Sequence, residues 1–423
     1  MSKDLVKNNY IIKPFIISAI VFIFVGSLIG SIWLTNILKL NIPIFNGSIF
    51  NLHRVFQIES GLTLLIMGIG FMIVPRFRNI PIGSLTIIKI SFLFIILSSL
   101  LAIVSTINMF KSNINEQFVF FSQIFRLLGI LIFLGKIFDS LKIKPKLLRD
   151  ADYFIALSSI CLLIISILNL LKVNGNTLLN IEIQLLFPII MIFGIEYKTL
   201  PSFLGFIRPR KKIGMLSLLF LTTTFIIGII AELFADNTLL PILFNLIMLS
   251  SSITFSISAY VYNDYENKKY ILQSTGDKKD RYLYTLYHTR VSFYFLFIGS
   301  AFGLMFYLFD KTFIFYDLSI HFIAIGFIGI TIASYLPMML APILGKPIAV
   351  KKFNNIPLIL ITISLLIRSI GMMYISYFNG SDLFILHVLT SLSGFLILFA
   401  IAVFITLLYK SIKSLPKNSM KIS

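Results

Sequence analysis

Asp317-Leu318-Ser319-Ile320-His321-Phe322-Ile323-Ala324-Ile325-Gly326-Phe327 sets one imidazole just inside the start of a long apolar run. Asn51-Leu52-His53-Arg54-Val55-Phe56-Gln57-Ile58-Glu59 does the same near the start of another. Each run ends in a proline, Pro75 lying 22 residues after His53 and Pro337 16 residues after His321. The chain has only 4 histidines and 1 cysteine, so two at matching places carry weight. A histidine in hydrocarbon needs a polar partner or a metal to justify its burial.

The residues around these runs make the setting a bilayer. Of the 423 residues, 58% are hydrophobic and 13% charged, with mean hydropathy +0.96. A soluble domain does not read this way, and about 20 apolar residues suffice for one crossing. Twelve such stretches lie near 12–38, 50–74, 84–107, 117–141, 152–172, 178–200, 213–235, 239–262, 287–310, 315–340, 356–377 and 383–409. The expected fold is all-α, a single integral membrane domain over 1–423. The first stretch has no small-residue cleavage site and reads as a span, not a signal peptide. The longest polar stretch, about 263–286, is too short for a soluble domain.

A net charge of +19 suggests nucleic acid until its placement is considered. With the N-terminus in the cytoplasm, inner loops and tails hold 27 of the 36 Lys and Arg. Lys142, Lys144, Lys146, Arg149, Arg208, Arg210, Lys211, Lys212, Lys351 and Lys352 are among them. Only Lys39, Lys111, Lys172 and Lys311 fall outside, and Arg54, Lys89, Arg126, Arg290 and Arg368 fall within spans. This bias puts both termini in the cytoplasm and the protein in a cytoplasmic (inner) membrane. The basic loops then face anionic lipid, not nucleic acid. The lone Cys161 excludes a disulfide or a thiolate metal site within one chain.

Val74-Pro75-Arg76-Phe77, Leu200-Pro201-Ser202-Phe203 and Leu336-Pro337-Met338-Met339 close the second, sixth and tenth spans with similar text. Gly70, Gly194 and Gly329 come shortly before the prolines. Proline at the end of a membrane helix needs no repeat to explain it. The even spacing nevertheless reads as a period of four helices, giving three pseudo-repeated groups.

In this topology His53 and His321 share one depth, a turn or two inside the outer face. Two imidazoles there could grip one haem iron from opposite sides, since neutral imidazole nitrogen suits iron. Two unrelated interfacial histidines are the plainer alternative. His387, at the start of the twelfth span, is a third candidate ligand or a partner that orients one. His288, on the inner side, reads as facing solvent or headgroups. Arg126 and Arg368 need anions, and haem propionates suit their bidentate fork. Pairing with Glu59, Glu182 or Glu232, or snorkelling, is the alternative. Gln57 lies one turn from His53 on the same helical face and could orient it. Glu59 falls near the opposite face and is assigned no role. The sixth and seventh spans carry no histidine, no cluster of three imidazoles offers a copper site, and no Walker, zinc or Ser–His–Asp motif occurs. The aromatic residues read as packing and lipid-facing groups.

These features resemble subunit I of the haem–copper oxidases. That resemblance implies that His53 and His321 hold a low-spin haem. The text from Ile325-Gly326-Phe327 through Tyr335-Leu336-Pro337 to Gly345-Lys346-Pro347 resembles the family's tenth-span region. Met67-Gly68 through Val74-Pro75-Arg76-Phe77 resembles a second-span pattern of its shortened relatives. The glycine-rich run and proline of the second span, with Phe193-Gly194 through Leu200-Pro201-Ser202-Phe203-Leu204-Gly205, also resemble the NnrS family of membrane haem proteins linked to the nitric-oxide response. The chain departs from the oxidases where Ile323 stands two places after His321, and where their copper ligands on spans six and seven are missing. Val55 and Met72 stand where shortened relatives often carry further span-two histidines.

The expectation is thus a b-type haem protein without copper, for electron transfer or the handling of nitric oxide or another small gas, with a redox partner protein or that gas as its partner. It is not expected to be a complete terminal oxidase. Two alternatives remain: a twelve-helix secondary transporter, which ordinarily repeats by halves of six, and a degenerate subunit that only assembles with redox partners.

Overall fold

The computed structural model describes residues 12–38, 49–107, 112–142, 149–171, 177–203, 206–234, 237–263, 276–309, 312–343, 354–377 and 384–412. Among them are twelve helices long and apolar enough to cross a bilayer. They are α1 (Lys13–Ile37), α2 (Ile49–Arg76), α3 (Leu85–Ile107), α4 (Asn113–Leu141), α5 (Asp150–Leu170), α6 (Leu178–Pro201), α7 (Lys211–Leu233), α8 (Leu239–Ser258), α9 (Lys279–Leu308), α10 (Phe313–Leu340), α11 (Ile356–Ile375) and α12 (Phe384–Lys410). Helices are the outcome because hydrocarbon offers backbone amides no partner, and a helix satisfies them within one segment.

Burial sorts the helices by the period read in the sequence. The most apolar window of α2 is 94% buried, of α6 89% and of α10 72%, against 50% or less for every other helix. These three stand inside and the other nine surround them. The outer helices pack in succession, α3 on α4, α4 on α5, α5 on α7, α7 on α8, α8 on α9 and α11 on α12, and α12 closes back onto α1. Phe193 of α6 stacks on Phe255 of α8 with centroids 3.9 Å apart, and Phe255 stacks on Phe293 of α9 at 5.9 Å. Such pairs add about 0.5–1.5 kcal/mol each beyond area burial.

Two local features differ from expectation. The helix that contains the α9 span runs back to Asp277, two residues before the span and about ten before its expected start at 287. Hydropathy marks only the part of a helix inside hydrocarbon, and Lys, Arg, Leu and Tyr extend a helix readily beyond it. The second feature is a π-helical stretch in each histidine-bearing helix, Val55–Leu62 in α2 and Phe322–Gly329 in α10. Each begins within two residues of its histidine. Such i→i+5 turns are rare and concentrate at functional sites. Residues 1–11 and 413–423, the basic loop residues Lys39, Lys111, Lys144, Lys146, Lys172, Lys311, Lys351 and Lys352, and the stretch Gly345-Lys346-Pro347 lie outside the described residues.

Candidate functional site

The two histidines meet. The imidazole rings of His53 and His321 lie with centroids 6.4 Å apart and planes 11° from parallel. Each is anchored at one nitrogen. Nδ1 of His53 lies 2.7 Å from the carbonyl of Gly26 on α1. Nδ1 of His321 lies 2.7 Å from the carbonyl of Asp317, one turn earlier on α10. A carbonyl only accepts, so each Nδ1 carries the proton and each Nε2 keeps its lone pair. This is the tautomer of a metal-ligating histidine.

A close approach of α1 to α2 sets the ring of His53. Gly30 of α1 sits so near that a Cβ built on it would lie 2.5 Å from His53 Cε1 and 2.7 Å from Nδ1. Trp33, one turn on, lies with its ring 6.4 Å from His53 and 6.2 Å from Phe313 of α10, walling the same space.

Both rings line a cavity between α1, α2, α10, α11 and α12. Trp33, Phe50, Arg54, Tyr316, Asp317 and Arg368 share the histidine end, and Ile20, Ala333, Pro357, Ile361 and Phe404 form an apolar far end. Its volume is about 210 Å³.

The remaining site expectations divide. Arg368 lines the cavity, but two of its nitrogens are taken by Asp317, with Nε 2.8 Å from Oδ2 and Nη2 2.7 Å from Oδ1. Arg126 is absent from the cavity wall. It donates from Nη1 to Glu59 at 2.7 Å and borders a separate small recess with Gln184 and Pro188. Glu59, given no role from the sequence, also receives Arg54 at 3.2 Å and is the anion of this network. The π-helical turns between Arg54 and Leu62 change the angular advance per residue, so faces assigned on an α-helical period fail here. Gln57 lines the cavity but does not orient His53. Its amide reaches α1 instead, donating to the Ile23 carbonyl at 3.0 Å and Ser27 Oγ at 2.8 Å. His387 bonds the Leu38 carbonyl at 2.9 Å and does not line the cavity. His288 is buried, 1% exposed, with Nδ1 2.7 Å from the Tyr284 carbonyl. The early start of α9 carries it well inside the bundle. Gly26, Gly30, Arg54 and Asp317 were not singled out beforehand. The repeated Gly-Ser pairs of Gly26-Ser27-Leu28-Ile29-Gly30-Ser31 were the available signal for a close helix contact.

No protein-family model and no curated protein matches the sequence. Among solved structures, the chain is similar to a haem–copper terminal oxidase determined as a dimer by cryo-electron microscopy. The TM-score is 0.63 at 13% identity, over 97% of this chain and 84% of the oxidase chain. This chain has a haem–copper-oxidase subunit-I-like fold. The expectation of an all-α bundle of twelve spans holds among the described residues.

Proposed function

We propose that the chain is a membrane-embedded b-type haem protein, with His53 and His321 as the two axial ligands, serving one-electron transfer within the bilayer. The spacing of the two rings carries the reading. Metal–imidazole bonds are about 2.0–2.1 Å long, and roughly 1 Å separates a ring nitrogen from the ring centre, so two ligands on opposite sides of one metal have centroids about 6 Å apart. The observed 6.4 Å, with free Nε2 atoms and a largely apolar cavity lined by both rings, fits such a group.

Bound haem would supply reversible one-electron chemistry. The protein's own residues supply position and charge. Gly26 and Asp317 fix the imidazole tautomers. Arg54 and Arg368 line the cavity with positive charge, and the buried Nε of Arg54 has no partner. Glu59 meets the charge of both Arg54 and Arg126, but only Arg54 lines the cavity, so its free Nε is the better candidate for a propionate. The apolar far end keeps water from the ring edge. No copper centre is proposed, since the described residues contain no group of three or more His, Cys, Asp or Glu side chains fit to hold a metal.

The NnrS likeness extends the reading to a nitric-oxide response. Of the two rings, His53 rests on a neutral carbonyl of another helix, whereas His321 also contacts a carboxylate, so His53 is the more weakly held of the residues that would hold the group.

Haem content tests the reading. Wild-type protein expressed with ample haem should hold one haem per chain, and His53→Ala and His321→Ala should each lose the low-spin spectrum. Equal haem and equal spectra in all three would remove both residues from the site.

A further inference from the structure

The two proposed ligands are held by different chemistry. Nδ1 of His53 meets only the neutral amide carbonyl of Gly26, at 2.7 Å. Nδ1 of His321 meets the Asp317 carbonyl at 2.7 Å and, in addition, the Asp317 carboxylate, with Oδ1 at 3.3 Å. That carboxylate is 3% exposed and cannot swing away, because Arg368 grips both its oxygens, at 2.8 and 2.7 Å. Arg368 is itself 6% exposed. A buried pair of this kind is costly unless its geometry is good, and removing one partner is costlier still. Here a planar fork meets a carboxylate at both oxygens, the arrangement in which such pairs are strongest. One of the two oxygens, Oδ1, also stands 3.3 Å from the ring nitrogen Nδ1 of His321.

We propose that Asp317, locked by Arg368, is a positioning residue that makes His321 the stronger electron donor of the two axial imidazoles and biases the bound haem towards its oxidised form. The inference rests on the haem reading above. The Asp317 carbonyl fixes the ring, and a carboxylate charge beside the distal N–H of a ligating histidine raises the basicity of its other nitrogen. More electron density at Nε2 favours the more positive metal state. Arg368 holds the carboxylate in register and offsets its charge, so the two residues pull the redox balance in opposite directions. The same two charges also act on His53, but without a contact to its ring, whereas Asp317 touches that of His321.

The test is an equilibrium redox titration of the purified, haem-loaded protein, followed by visible absorption. Asp317→Asn keeps the shape, removes the charge and leaves Arg368 uncompensated. Its preference for ferric over ferrous haem should fall about tenfold, a rise of about 59 mV for a one-electron couple. Arg368→Gln leaves the carboxylate uncompensated and should move the potential downward. Asp317→Glu should return the potential towards that of wild type. Opposite shifts in the Asn and Gln variants support the proposal, because a structural defect alone would not change sign with the charge removed. Unchanged potentials, or shifts in one direction for both, overturn it. Should Asp317→Asn not accumulate, Arg368→Gln against Arg368→Lys gives the same reading: downward for Gln and near wild type for Lys supports it, and no difference overturns it. Wild-type protein that binds no haem would sink the ligand assignment itself, a distinct result from bound haem with an unmoved potential.

Discussion

Adding one methyl group at Gly30 should dislodge a ligand. The new Cβ would stand 2.5 Å from His53 Cε1, 2.7 Å from Nδ1 and 3.1 Å from Nε2. Carbon atoms in ordinary contact sit about 3.5–4.0 Å apart, so the ring must retreat by about 1 Å. The retreat stretches the 2.7 Å bond to the Gly26 carbonyl, and the tautomer loses its anchor. Metal ligation tolerates about 0.2 Å of error. Losing an orienting partner alone costs about 10–100-fold in metal affinity, or roughly 1.4–2.8 kcal/mol. Haem titration into apoprotein should therefore show Gly30→Ala at least tenfold weaker, with a partly high-spin spectrum. The fold should not suffer, because alanine favours a helix over glycine by about 1 kcal/mol. Gly135→Ala is the control, since nothing lies within 4 Å of a Cβ there, and it should bind as wild type. Gly30→Ala binding haem with wild-type affinity and a fully low-spin spectrum would refute the packing argument.

Other substitutions separate the site from its surroundings. Glu59→Gln leaves the buried Arg126 short of its counter-charge and should cost about 3–5 kcal/mol in unfolding, read as a lower melting temperature in detergent. The paired change Glu59→Met with Arg126→Met should recover most of that loss, because an apolar pair replaces a buried ionic one. Gln57→Leu removes two bonds to α1 and should cost about 0.6–1.7 kcal/mol in stability while haem content stays at the wild-type level. His387→Ala should leave haem content and spectrum unchanged, as its ring bonds the Leu38 carbonyl away from the cavity wall.

Much of the architecture was legible because hydrocarbon is a strict solvent. Apolar runs of span length left the backbone one solution, and the prolines at 75, 201 and 337 marked the three inner helices. The pairing of His53 with His321 was legible from matching positions alone. The partners of those residues were not. Glu59 was misplaced because the π-helical turns of α2 leave no trace in composition. Gln57 was expected on His53 from helical spacing, but the nearness of α1 offered it better partners, and helix-to-helix distance is not written in one helix's sequence. Asp317 stood one turn from His321 in plain view; its role required knowing that Arg368 of α11 would pin its carboxylate. His288 was placed at a surface because the expected start of α9 was set by hydropathy.

The near-parallel imidazoles offer the most direct test of the whole account. Ferric protein, loaded with haem and frozen, should give a low-spin electron paramagnetic resonance signal of the rhombic kind that parallel axial imidazole planes produce, in keeping with the 11° between the rings. A high-spin signal, or no haem signal at all, would show that His53 and His321 do not grip a common iron, and the strongly anisotropic signal of perpendicular planes would contradict the 11° between the rings.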